Sequence, residues 1–91
     1  MRMLTAITVA AALLGTAVVA QAGSLGRPCT TAPQDTWLTI GALQGKLEAL
    51  GYTVRKAKLK DACGEFYTTD KTGARVELFV DPTNGAIVGK L

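Results

Sequence analysis

Apolar and polar positions along the chain fall into three regimes. From Leu4 to Ala20 nearly every residue is apolar, with Thr5, Thr8, Gly15 and Thr16 as the breaks. From Ile40 to Leu50 the apolar residues Ile40, Leu43, Leu47 and Leu50 recur at helical spacing, one stripe of an amphipathic helix. Thr39 is placed to cap that helix and Gly51 to end it in the left-handed conformation. Gly41 and Gly45 each weaken a helix by about 1 kcal/mol relative to Ala, so packing must hold it. Beyond Tyr52 the spacing shortens to alternation, which predicts strands over 52–60, 64–69, 74–80 and 86–90.

The turns between these strands fix their register. Lys71-Thr72-Gly73 is a three-residue hairpin loop with Gly at the left-handed position. Closing it with Asp70 opposite Ala74 sets Phe66 against Leu78 and Tyr67 against Glu77. In Asp81-Pro82-Thr83-Asn84-Gly85, Pro82 suits the second position of a type I turn and Gly85 accepts positive φ. Pairing Asp81 with Ala86 then sets Val80 against Ile87. A tight turn at Asp61-Ala62 sets Leu59 against Gly64 and Ala57 against Phe66. All three registers agree on one core face: Ala57, Leu59, Phe66, Val76, Leu78, Val80 and Ile87. A slip of one residue would break that agreement. Val54 is out of phase with Ala57 and Leu59, which predicts a bulge near Arg55-Lys56.

The predicted architecture is α+β, one helix packed on one face of a four-stranded antiparallel meander. The other face is expected to be open and to carry Glu65, Tyr67, Arg75, Glu77 and Phe79, extended on the first strand by Lys56, Lys58 and Lys60.

The first regime reads as an export signal covering 1–22. Arg2 supplies the positive start, and Ala20-Gln21-Ala22 is a small-x-small cleavage site before Gly23. The rival is a membrane anchor, but about 17 residues is short for a span, and the cleavage site directly follows. No membrane association is expected after cleavage. Residues 23–36, rich in Gly, Pro, Ser and Thr, read as an extended arm, and 37–91 as the domain. The whole chain carries a net charge of +3, and Arg2 is the one charged residue of the leader. The balance left is too mild to imply nucleic acid.

Cys29 and Cys63 are the two cysteines. An even count in an exported chain favours a disulfide, here closing a long loop that would stabilise the domain by about 3–4 kcal/mol. A redox pair would sit two residues apart beside a helix N-terminus, and these do not.

Catalytic chemistry is poorly supplied. The chain has no His, which removes the commonest general base and metal ligand. No Ser stands in a nucleophile motif, no Gly-rich phosphate loop occurs, and the acids are scattered. Glu65 and Glu77 read as cross-strand partners of Arg75 and the lysines. Asp81 lacks the alternate carboxylates of a calcium loop. The chain is therefore read as a non-enzyme with no cofactor and no metal. Lys56, Lys58 and Lys60 share one side of an edge strand, where lysines commonly block sheet-to-sheet aggregation; contact with an acidic partner or an anionic surface is the alternative. Tyr67 and Phe79 on an open face read as a binding patch, or as surface packed by a cross-strand neighbour or the arm.

The run Leu47-Glu48-Ala49-Leu50-Gly51-Tyr52-Thr53-Val54, then Cys63-Gly64-Glu65-Phe66-Tyr67, Asp70-Lys71-Thr72-Gly73, Val76-Glu77-Leu78-Phe79-Val80-Asp81-Pro82 and Asn84-Gly85, resembles a PepSY domain of the small stand-alone exported type. The resemblance covers residues 29–89. It implies a helix on an antiparallel sheet and a role in modulating or inhibiting peptidases outside the cytoplasm, with no catalytic residues to carry over. Two positions depart from it: Ala62 stands where an Asp-Gly turn is expected, and Gly64 replaces a bulky residue, which would thin the sheet under the helix. Two readings of function follow. One is a periplasmic or secreted binding module with a peptidase or other envelope protein as partner, its candidate surface Tyr67, Arg75, Glu77, Phe79, Lys56 and Lys58. The other is a structural or sensory accessory protein of the envelope without a peptidase partner.

The exported form is expected to begin at Gly23, because Ala20 and Ala22 fit the small-residue requirement of signal cleavage. Intact-mass measurement of periplasmic protein checks this; a membrane-embedded chain retaining Met1 would overturn it.

Overall fold

The computed structural model describes residues 23–91; the segment read as an export signal lies outside them. A 3-10 turn at Gln34–Thr36 precedes helix α1 (Ile40–Ala49), followed by strands β1 (Thr53–Lys60), β2 (Cys63–Thr69), β3 (Arg75–Val80) and β4 (Ile87–Lys90). The strands lie side by side in chain order, each antiparallel to the next.

Both ends of α1 are built by the residues expected. Thr39 Oγ1 accepts the Ala42 N–H at 3.1 Å. At the other end, the Tyr52 N–H donates to the Leu47 carbonyl (3.2 Å) and the Gly51 N–H to the Glu48 carbonyl (2.9 Å). This is the Schellman pattern, and Gly51 takes φ +103° within it, a conformation that a Cβ would strain. Leu43 and Leu47 are fully buried and Ile40 half-buried, but Leu50 is 57% exposed. Leu50 is the cap residue where the chain leaves the helix, so the apolar stripe ends one turn earlier than its spacing suggested.

The hairpin registers agree with those read from the turns. Ala57 faces Phe66, Leu59 faces Gly64, Phe66 faces Leu78, and Tyr67 faces Glu77. Val80 faces Ile87. The shift between Val54 and Lys56 leaves Arg55 bulged, which returns Val54 to the core side. A second bulge was not anticipated: Phe79 faces Gly89 while Val80 faces Ile87, so Val88 has no partner. The Asp81–Gly85 turn closes with an Asp81 N–H to Ala86 carbonyl bond of 2.9 Å. Asp81 Oδ1 accepts from the Thr83 N–H and hydroxyl. Pro82, fully buried, offers its carbonyl to the Leu38 N–H at 2.8 Å, which joins this turn to the start of the helix.

Leu43, Leu47, Phe66, Leu78 and Val80 form the core between helix and sheet, flanked by Leu38, Ile40, Tyr52, Val54, Ala57, Val76 and Ile87. Two expectations need correction. Leu59 is 37% exposed: near the hairpin tip it faces Gly64, which offers no side chain to pack on. Gly64 does not thin the sheet. A Cβ there would lie 2.7 Å from Val80 Cγ2 and 2.9 Å from Phe66 Cε1, so neighbouring side chains already fill that space.

The β1–β2 turn uses Asp61 at φ 54° and Ala62 at φ 59°, both left-handed. Such a turn matches the twist of the strands but suits Asn-Gly or Asp-Gly, and a Cβ in this region costs about 1–2 kcal/mol. Ala62→Gly is therefore expected to raise unfolding free energy by about 1 kcal/mol, read as a higher urea midpoint at unchanged slope.

Candidate functional site

The sheet face away from the helix holds every residue proposed from sequence as a binding surface. Alternation from Cys63 puts Glu65 and Tyr67 on this face of β2, and the register adds Glu77 and Phe79 from β3. Lys56 and Lys58 join them from β1 as the partners of Tyr67 and Glu65.

This face is not open. Phe79 is 1% exposed, Glu65 3% and Glu77 5%. The N-terminal arm lies across them. Gly23 lies against Leu91, whose main chain pairs with that of Glu77. Leu25 sits over Gly89, beside Phe79. The Arg27 carbonyl is 3.8 Å from Cys63 Sγ, and the Cys29–Cys63 disulfide, with Cα atoms 4.9 Å apart, ties the arm to β2. Trp37 fixes the arm's far end through a 3.0 Å bond from its Nε1–H to the Ala32 carbonyl. Glu77 and Phe79 are thus removed from the accessible surface. Leu25 is the one large apolar residue between Gly23 and Cys29, and together with the cysteine tether it was the signal that the arm would cover something.

Burial sets the electrostatics. Glu65 keeps a partner in Lys58, whose Nζ is 4.0 Å from Oε1. Glu77 has none of good geometry among the described residues: both its oxygens are buried and unpaired. Desolvation raises its pKa, and the neighbouring Glu65 charge raises it further; the Gly23 main-chain N–H and the Tyr67 hydroxyl, both close by, pull the other way. The Tyr67 hydroxyl is likewise raised, first by burial and then by Glu77.

What stays exposed is basic. Lys56, Lys58 and Lys60 stand out from β1, and Arg75 from the start of β3. Lys56 Nζ is 5.9 Å above the centre of the half-buried Tyr67 ring, the outer limit of a cation–π contact. Among the described residues no three His, Cys, Asp or Glu side chains converge as a metal site would need. A dent of about 260 Å³ lies between the helix end and the β2–β3 hairpin, lined by Leu50, Gly51, Tyr52, Asp70, Lys71 and Thr72. Its carboxylate, Asp70, is occupied by the Thr72 hydroxyl and the Thr72 and Ala74 N–H groups, which hold its pKa down. No described helix is long and apolar enough to cross a membrane.

The described residues thus form a small helix-on-meander domain with one disulfide, a covering arm and a basic strand edge. The peptidase propeptide and YPEB domain family model matches residues 4–90, and the chain belongs to that family. No curated protein and no solved structure matches the chain.

Because Phe79 is core, Phe79→Ala is expected to cost about 3–5 kcal/mol of stability, while Tyr67→Ala costs clearly less. Urea unfolding of the two variants checks the difference; equal and small losses would mean that the arm leaves the face accessible.

Proposed function

We propose that the domain is an exported binding module whose partner, a peptidase in the first instance, engages the open edge of β1. The observation that carries this reading is the character of that strand. It spans eight residues, is mostly exposed, and has β2 as its one ladder neighbour among the described residues. Its outward main-chain groups can therefore accept an extended segment from another protein. Lys56, Lys58 and Lys60 line it, which selects for an acidic segment and disfavours pairing with another copy of the same basic edge. With Glu77 and Phe79 covered, the candidate surface reduces to Lys56, Lys58, Lys60, the Tyr67 ring and Arg75. Family membership supports the peptidase direction, since the family takes its description from peptidase propeptides. A disulfide and an apolar leader with a cleavage site support action outside the cytoplasm. The module works by surface contact and carries out no reaction of its own.

The test is capture from periplasmic extract with the wild-type domain and with Lys56→Glu/Lys60→Glu. Lys58 is left in place because it pairs with buried Glu65. The captured protein is expected to be a peptidase whose activity changes on adding the domain. Reversing the two charges should weaken capture by about tenfold or more, equivalent to about 1.4 kcal/mol. Capture that survives charge reversal would remove the β1 edge from the reading. A captured protein without peptidase activity would favour an envelope accessory role.

A further inference from the structure

Glu77 is the one described residue whose side-chain oxygens are buried without a hydrogen-bond partner, and it lies under the first residue of the arm. A carboxylate held in this way is costly unless a cation reaches it. Lys58 is already engaged by Glu65, and Lys56 and Lys60 project from the exposed strand. The main-chain nitrogen of Gly23 lies close to the carboxylate, on the side from which the arm covers it. In the uncut chain that nitrogen is a neutral amide. Gly23 is also the residue that follows the Ala20-Gln21-Ala22 cleavage site.

We propose that Glu77 is the built-in counter-ion of the processed N-terminus, so that removal of residues 1–22 creates a buried ion pair that locks the arm onto the sheet. The inference rests on the export reading above. Hydrolysis of the Ala22–Gly23 bond by a signal peptidase adds water across the amide. The Ala22 carbonyl carbon keeps the new oxygen as a carboxylate, and the Gly23 nitrogen leaves as an amine that is protonated at neutral pH. A single uncharged N–H donor becomes an ammonium with three donors beside a carboxylate that lacks them. Leu91, which touches Gly23 and pairs with the Glu77 main chain, keeps the new terminus in place.

The pair has a defined pH window. An α-amine titrates near 7.7–8.0 when unfolded, and an adjacent carboxylate raises that value in the folded state. Its contribution is therefore complete below about pH 7.7 and is lost as pH rises through the folded value. On the acid side it is lost as pH falls and Glu77 takes up a proton. The other charged or titratable groups facing the pair are Lys58 from β1, Glu65 and Tyr67 from β2 and, in a chain ending there, the Leu91 carboxylate; Lys60 reaches only as far as Tyr67. Arg27 is exposed on the arm.

The test uses the exported, processed protein, wild type and Glu77→Gln, each with its α-amine free or blocked by an α-amine-selective reagent. Blocking is expected to lower the wild-type Tm by about 5 °C at pH 6.5, a shift typical of about 1 kcal/mol in a domain of this size. Blocking should leave Glu77→Gln unchanged, because the charge it removes has no counterpart there. The same substitution should change sign. With the amine free, Glu77→Gln lowers Tm; with it blocked, Glu77→Gln is neutral or raises Tm, since it removes an uncompensated buried charge. The α-amine of the wild type should also titrate at least half a unit higher than that of Glu77→Gln. Equal Tm for free and blocked wild type, or a blocking effect that persists in Glu77→Gln, would overturn the pair. Intact mass reports separately on processing: a mature chain beginning elsewhere overturns the export reading itself.

Discussion

The disulfide from Cys29 to Cys63 carries the N-terminal arm onto a sheet face that would otherwise meet water, and the character of the central strands follows from it. A sheet with a helix on one side commonly alternates apolar-in and polar-out. Here β2 and β3 are buried on both sides, so Phe66 and Leu78 face the helix while Phe79 and two glutamates face the arm. A domain of this size builds a marginal core from one layer alone. The arm adds a second, thinner layer. Its own sequence, Gly-Ser-Leu-Gly-Arg-Pro, has little tendency to stay folded down. The covalent tie supplies that by limiting the unfolded chain, an effect of about 3–4 kcal/mol and thus a large share of a small domain's net stability.

Covering that face changes the chemistry of what lies on it. Glu65 and Glu77 sit diagonally across the β2–β3 ladder, close enough for each charge to act on the other. Lys58 reaches in from the edge strand and satisfies one of them. Glu77 is left to whatever the arm brings, and the arm brings its first nitrogen. In the proposed ion pair, the stability of the covered face is tied to the chemical state of that nitrogen.

The same arrangement limits which main-chain groups of the sheet are accessible. With one sheet face under the helix and the other under the arm, the accessible main-chain groups of the sheet lie at its edges. The longer edge, β1, is basic and mostly exposed. The hairpin that ends it is held in a left-handed turn of Asp61 and Ala62 and anchored at Cys63 by the disulfide. That exposed edge is the surface on which the proposed function rests.

Local chemistry was legible in the sequence wherever a turn or a period fixed it. Thr39 and Gly51 bracket the helix because capping is decided within one turn. The three hairpin registers follow from Gly73, Pro82 and Gly85, and Val54 being out of phase gave away the bulge at Arg55. The bulge at Val88 was not legible, since Ile87, Val88 and Gly89 carry no alternation strict enough to break. Periodicity assigns Leu50 and Leu59 to the apolar faces because it reports on faces and not on where a neighbouring element ends. The candidate surface failed at Glu77 and Phe79 for a related reason. Alternation placed them on the second face, and glutamate in alternation with apolar residues ordinarily means solvent. Whether a face meets water is set by what folds over it, and the arm reaches it through a bond between residues 34 apart in sequence. The sequence by itself determined the strands, their order, their register and the pairing of its two cysteines, because each rests on neighbours or on counting. Only the tertiary structure decided that the second face is closed and that a carboxylate is buried beneath Gly23, because burial is a property of the whole packed chain.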